Sequence, residues 1–304
     1  MSVVLAYGLA EAVLELTLYG GFTVLFSTVS YLFATRGLIS RKRPTFFIFL
    51  ALVGLFLAIT AHWITSIYVL FLAFIHLGGG LPAEILYFTL SVPPELAQMS
   101  LAEVVTVITD SLMVHRLYVV YSFDYRVVIF PICVLIFQVV SGIHIIYDLS
   151  RETIFNFYDK SNPWVTSSLV SSLVISGYST GMISFKVTRM SRSIRTITGS
   201  TQAGKPLRRV LAIIVESAVL QTVMTMAILV TFQIGLLAQA ILEALQPVVL
   251  GISVLLIHLR VGLGWTTEGT TRVAPIGTDI TLTLTTTRGG EQESDLERGK
   301  ITSF

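Results

Sequence analysis

The sequence predicts an all-α fold: a bundle of seven transmembrane helices, N-terminus outside, C-terminus cytoplasmic, followed by a disordered tail. Three observations carry this. Seven apolar blocks each reach the ~20 residues that ~30 Å of hydrocarbon demands of a helix. Hydrophobic residues make up 54% of the chain and charged residues 12%, with mean hydropathy +0.81, where a soluble domain carries about 25% charge. The basic residues, finally, gather in alternate links between the blocks, which fixes a side.

The blocks run over about Leu14–Thr35, Thr45–Leu70, Leu96–Val120, Val127–Leu149, Trp164–Lys186, Val210–Phe232 and Leu237–Leu259. Inside lipid every backbone amide must bond within its own segment or a closed barrel. Barrel strands would show ~10-residue alternating segments, and none is present, so the blocks are helices. Residues 1–13 form a short outer N-terminus, 14–264 the helical domain and 265–304 a Thr-rich cytoplasmic tail. No basic run precedes the first block, so a cleaved signal peptide is not expected. Four Lys and Arg fall in 36–43, Arg116 and Arg126 follow the third block, seven fall in 186–209, and five run from Arg260 to Lys300. That is eighteen of twenty; only Arg151 and Lys160 lie in the other links. The positive side is cytoplasmic.

The outer link 71–95 contains Gly78-Gly79-Gly80 and Pro93-Pro94 around an apolar run. An irregular or partly interfacial loop is expected there. The link 148–163 is polar and aromatic, and Trp164 follows at the membrane interface. The sixth and seventh blocks are joined by a few residues and must be antiparallel neighbours. In the inner link 186–209, Arg189, Arg192 and Arg195 stand three apart, on one face of a continued helix. Such a face lies on anionic lipid, at about 1 kcal/mol per basic residue, or docks an acidic cytosolic partner. The tail lacks helical period; Thr278–Leu284 alternates like a strand, but disorder is expected. Its threonines and Ser294, within Glu-Ser-Asp, suit phosphorylation.

Ionisable residues inside the blocks are the candidate site. A charge at mid-bilayer costs at least about 2.5 kcal/mol, so these groups face the bundle interior. By the ~1.5 Å rise per residue, Asp110 lies near mid-membrane and Glu103 two turns further out on the same face, with Thr106 between. His62 and Glu243 reach depths similar to Glu103, and Glu11 and Glu15 begin the first helix. Two groups are expected: an outer pocket of His62, Glu103, Glu243 and Glu15, and a deeper pair, Asp110 with Glu216. The plainer reading makes each carboxyl a helix–helix glue of about 0.6–2 kcal/mol.

Much chemistry is excluded. None of Lys42, Lys160, Lys186, Lys205 and Lys300 lies in the last block, so retinal has no attachment point. The Gly78–Gly80 run lacks the strand, helix and Lys of a phosphate loop. The histidines share no i, i+4 face for zinc. Cys133 is single, so no intrachain disulfide forms, and neither Asn156 nor Asn162 opens a glycosylation acceptor. No internal repeat of the transporter kind is present. No enzyme activity, cofactor, metal or nucleic acid is expected; the partner is the bilayer.

Several short pieces resemble one large family. They are Ala61-His62-Trp63, Asp110-Ser111-Leu112 with Arg116-Leu117-Tyr118-Val119-Val120, Val215-Glu216-Ser217-Ala218 and Arg260-Val261-Gly262-Leu263-Gly264. In order and placement, over about residues 14–264, the chain resembles a mostly uncharacterised family of seven-helix membrane proteins from mushroom-forming fungi. The family commonly has Trp in place of Tyr121 and Tyr in place of His115 or Gln221. The resemblance implies the topology and the recurrence of His62, Asp110, Arg116, Glu216 and Arg260; it brings no established activity.

Three functions compete. A receptor-like protein of the plasma membrane would sense a small molecule in the outer pocket. Its cytoplasmic contacts, Arg116, Arg189, Arg192, Arg195 and Arg260, would then meet a cytosolic signalling protein. A proton- or cation-coupled transporter would use Asp110 and Glu216. A structural membrane protein would have no ligand.

Overall fold

The computed structural model describes residues 3–35, 43–78, 80–88, 92–151, 154–198, 205–235 and 238–271. Among them it has eight α-helices and no strand. In chain order these are α1 (Val3–Thr35), α2 (Arg43–Phe71), α3 (Leu81–Phe88), α4 (Pro93–Val120), α5 (Ile129–Arg151), α6 (Ile154–Thr198), α7 (Lys205–Ile234) and α8 (Ala238–Thr271). All but α3 are long and apolar enough to cross a membrane. The seven spans expected from the sequence are these, and the chain is a multi-pass membrane protein by that measure.

The helices outrun the apolar blocks. α1 begins at Val3 rather than Leu14, α6 starts at Ile154 and continues to Thr198, and α8 passes Trp265 to Thr271. Hydropathy ends where lipid ends; a hydrogen-bonded helix can extend into water. The expected loop 71–95 is largely helical. A π-turn over Leu72–His76 prolongs α2, Gly78 turns the chain with φ +64°, and α3 follows. The φ requires glycine, since Cβ crowds that backbone region. Residues 272–304, with the expected strand and phosphorylation sites, lie outside the described residues.

The packing order is α1–α2–α4–α5–α6–α7–α8, with α8 closing back on α1; α4 also packs against α6 and α8. One apolar core joins α1, α2, α4 and α8 through Phe22, Leu55, Ile59, Val105 and Val254. A second, toward the other end of α4, joins it to α5 and α6 through Leu117, Val128 and Ile175. Gly251 lets α8 approach closely: a Cβ there would stand 2.5 Å from Ile59 and 2.7 Å from Phe22.

The surface is the inverse of a soluble protein's. Val24, Leu57 and Ile143 are each more than 60% exposed, while Asp110, Gln138, Gln221 and Ser253 are fully buried. Hydrocarbon accepts the former and drives the latter inward.

Candidate functional site

The candidate side chains are set by α4, which carries a polar group at each successive depth. Near its N-terminal end Gln98 donates to Ser66 of α2 at 3.1 Å. Five residues on, Glu103 accepts from Ser168 of α6 at 3.3 Å. Its second oxygen has no donor and rests against Gly142 of α5, where a Cβ would stand 3.2 Å away. Glycine is what leaves room for the carboxyl.

His62 does not join Glu103. It pairs with Glu15 of α1, Nδ1 to Oε1 at 2.8 Å, both side chains 1% exposed. Tyr19 stacks on Trp63 beside this pair, centroids 4.7 Å apart, and meets Thr60 at 3.1 Å. These contacts hold the histidine in the α1–α2 interface. The His62–Glu15 contact falls within the expected outer group, while no hydrogen bond joins His62 to Glu103 among the described residues. Glu243 instead receives Gln239 at 3.3 Å. It lies near enough to Glu11, Glu95 and Glu103 for their charges to interact. This end of the bundle therefore holds acids from α1, α4 and α8.

At mid-helix, Asp110 is fully buried. Gln138 of α5 and Gln221 of α7 donate to its two carboxylate oxygens, each at 2.9 Å, and the Ser172 hydroxyl of α6 lies beside the same carboxyl. The expected Asp110–Glu216 pair is not formed. Glu216 points outward and bonds Arg260 of α8, the two side chains being 66% and 38% exposed. The helical rotation that buries Gln221 turns Glu216 away: five residues apart, they lie on opposite sides of α7.

Further along α4, Arg116 sits 3.2 Å from Nδ1 of His258 on α8 and 3.8 Å from the Met113 sulfur. Among the described residues no carboxylate pairs with it. His258 Nδ1 is also 2.9 Å from the Val254 carbonyl. With a proton on Nδ1 it donates to Val254; with the proton on Nε2 it accepts from Arg116. Just past α4, Ser122 and Phe123 take left-handed backbone, φ 58° and 68°. The Tyr118 ring, edge-on to Phe123 at 5.1 Å, braces that turn. Tyr121 donates to Met182 of α6, with the Lys186 ammonium 4.7 Å over its ring. Burial, with the Tyr178 phenol nearby, raises the Tyr121 hydroxyl above its ordinary range, which keeps it a donor.

Arg189 and Arg192 are exposed on the continuation of α6, as one helical face. The Arg195 side chain lies outside the described residues. On α7 and α8, a groove of about 300 Å³ is lined by Val219, Leu220, Val223 and Leu256, with Glu216 and Arg260 at its rim. No group of three metal-type side chains exists among the described residues.

Sequence reasoning missed Gln138 and His258, and saw Gln221 only as a departure from a family pattern. It also missed the buried serine face of α6, made by Ser168, Ser171, Ser172, Ser176 and Ser179. Small residues at that spacing let membrane helices approach, so the spacing itself was the available signal. No family model, curated protein or solved structure matches the chain.

Proposed function

We propose that the chain is a receptor-like protein of the plasma membrane, of the fungal seven-helix kind it resembles, with its N-terminus outside. One observation carries the reading. Side chains of α4 bond to α2, α6, α5, α7 and α8 in turn: Gln98 to Ser66, Glu103 to Ser168, Asp110 to Gln138 and Gln221, Arg116 to His258. A shift of α4 at its acidic outer end therefore exchanges polar partners along its whole length. Exchange of discrete contacts between packed helices is how such bundles switch. The basic bias of the alternate links supports the orientation, and the arginine face of α6 is the surface offered to a cytosolic signalling protein. The transporter reading loses its carboxylate pair, since Asp110 and Glu216 have separate partners.

The test is capture. The full chain in nanodiscs should retain a purified G-protein heterotrimer, and Arg189→Glu with Arg192→Glu should abolish retention. Equal retention by the variant, or none by the parent, would overturn the partner surface. Uptake driven by a proton gradient and lost in Asp110→Asn would favour transport.

A further inference from the structure

We propose that Asp110, the side-chain oxygens of Gln138 and Gln221 and the Ser172 hydroxyl form a binding site for a dehydrated monovalent cation of the sodium class. The orientation of the two amides comes first. Each turns its NH₂ toward the carboxylate, one to each oxygen, at 2.9 Å. Two amide donors on two oxygens suit an ionised carboxylate. Among the described residues no Lys, Arg or His pairs with Asp110. A lone charge buried in this way calls for a counter-charge.

The second observation concerns the other atom of the same two amides. With their nitrogens facing Asp110, the Gln138 and Gln221 oxygens have no donor at all. Both side chains are fully buried. An acceptor left without a partner in a dry interior is costly, and two occur within one amide group of the same carboxylate. One small cation relieves both faults: it balances the charge and takes up the unpaired oxygens. The donor set is oxygen only, which suits hard cations. It holds one carboxylate, which balances one positive charge, whereas calcium sites gather several carboxylates and six to eight oxygens. Four helices, α4 to α7, supply the ligands, so an occupied site would clamp them together. Glu103, two turns outward with its own unpaired oxygen, lies between this centre and the acids Glu11, Glu95 and Glu243. That series lines the way to the centre with carboxyl oxygens. The site stands whether or not the chain signals.

The test uses the full chain in detergent, with NaCl against choline chloride at equal ionic strength. Sodium should raise the melting temperature by several degrees in a saturable way, because a ligand bound only by the folded state stabilises it. It should also broaden the ²³Na resonance. Asp110→Asn should lose both effects, and Gln138→Leu or Gln221→Leu should raise the half-saturating sodium at least tenfold. Gln233→Leu, whose parent side chain bonds Thr166 on the bundle surface, should change nothing. Identical melting of the parent in both salts overturns the site, as does a sodium effect that survives in Asp110→Asn. Should Asp110→Asn fail to fold, Gln138→Leu decides: weakened broadening supports the site and unchanged broadening overturns it.

Discussion

Removing one member of the Glu15–His62 pair tests whether this bundle is held by polar contacts between its helices. His62→Leu leaves the Glu15 carboxyl buried with no partner, since its Oε2 already has none. An unsatisfied neutral group costs about 1–3 kcal/mol. If the pair is ionised, the stranded charge raises the loss to about 3–5 kcal/mol. Glu15→Leu should cost a similar amount through the stranded imidazole. The double variant Glu15→Leu/His62→Leu removes both polar groups from an interface lined by Tyr19, Phe22 and Ile59 and should be close to neutral. The non-additivity would then equal roughly the sum of the single losses. Equilibrium unfolding in mixed micelles, followed by helical circular dichroism, measures all four corners of the cycle. The size of the single losses also reports the charge state, with values above ~3 kcal/mol indicating an ion pair. Strictly additive losses, or a loss under about 0.5 kcal/mol for His62→Leu, would show that the contact carries no stability.

Close helix approach gives a second expectation: Gly251→Ala should cost about 1–3 kcal/mol through overlap with Phe22 and Ile59. In contrast Gly54→Ala, with open space around it, should be neutral or gain about 0.5–1 kcal/mol; paired unfolding curves decide. Gly142→Ala should push Glu103 off Ser168 and cost about 1 kcal/mol, and Glu103→Ala in the same chain should remove most of that loss in the same assay. Glu216→Gln should leave the melting temperature unchanged, because the Arg260 pair is exposed and such pairs contribute little. An epitope tag placed after Phe304 should react with antibody only in permeabilised cells; labelling of intact cells would reverse the topology.

Lipid makes some features of this chain easy to read from sequence and hides others. Blocks such as 127–149 declare themselves because hydrocarbon admits only apolar side chains over the whole thickness. The spacing of Asp110 and Glu103 along one helix followed from counting residues, for the helical rise is fixed. Azimuth did not follow. Which way Glu216 faces depends on the rotation of α7, and that rotation is set by Gln221, Thr225 and Ser217 finding partners inside. An apolar helix in lipid has almost no amphipathic moment to show it. Pairing was likewise hidden: residue counting sets His62 and Glu103 at similar depths, yet α2 presents His62 to Glu15 of α1. The end of α8 was misjudged because a Thr- and Gly-rich composition says little about a helix already nucleated by the span before it.

The uncharged polar residues decide how these acids are used. A carboxyl in a bundle can be neutralised by protonation, paired with a base, or solvated by amides and hydroxyls. The chain uses two of these. Glu15 has a histidine. Asp110 has two glutamines and a serine, which solvate a charge without cancelling it. Cancelling it with Arg or Lys would have fixed the centre permanently. Amides leave it open to an exchangeable ion, and they leave α4 free to change partners with α5 and α7. The buried glutamines, more than the acids, therefore decide what the centre of this bundle can hold.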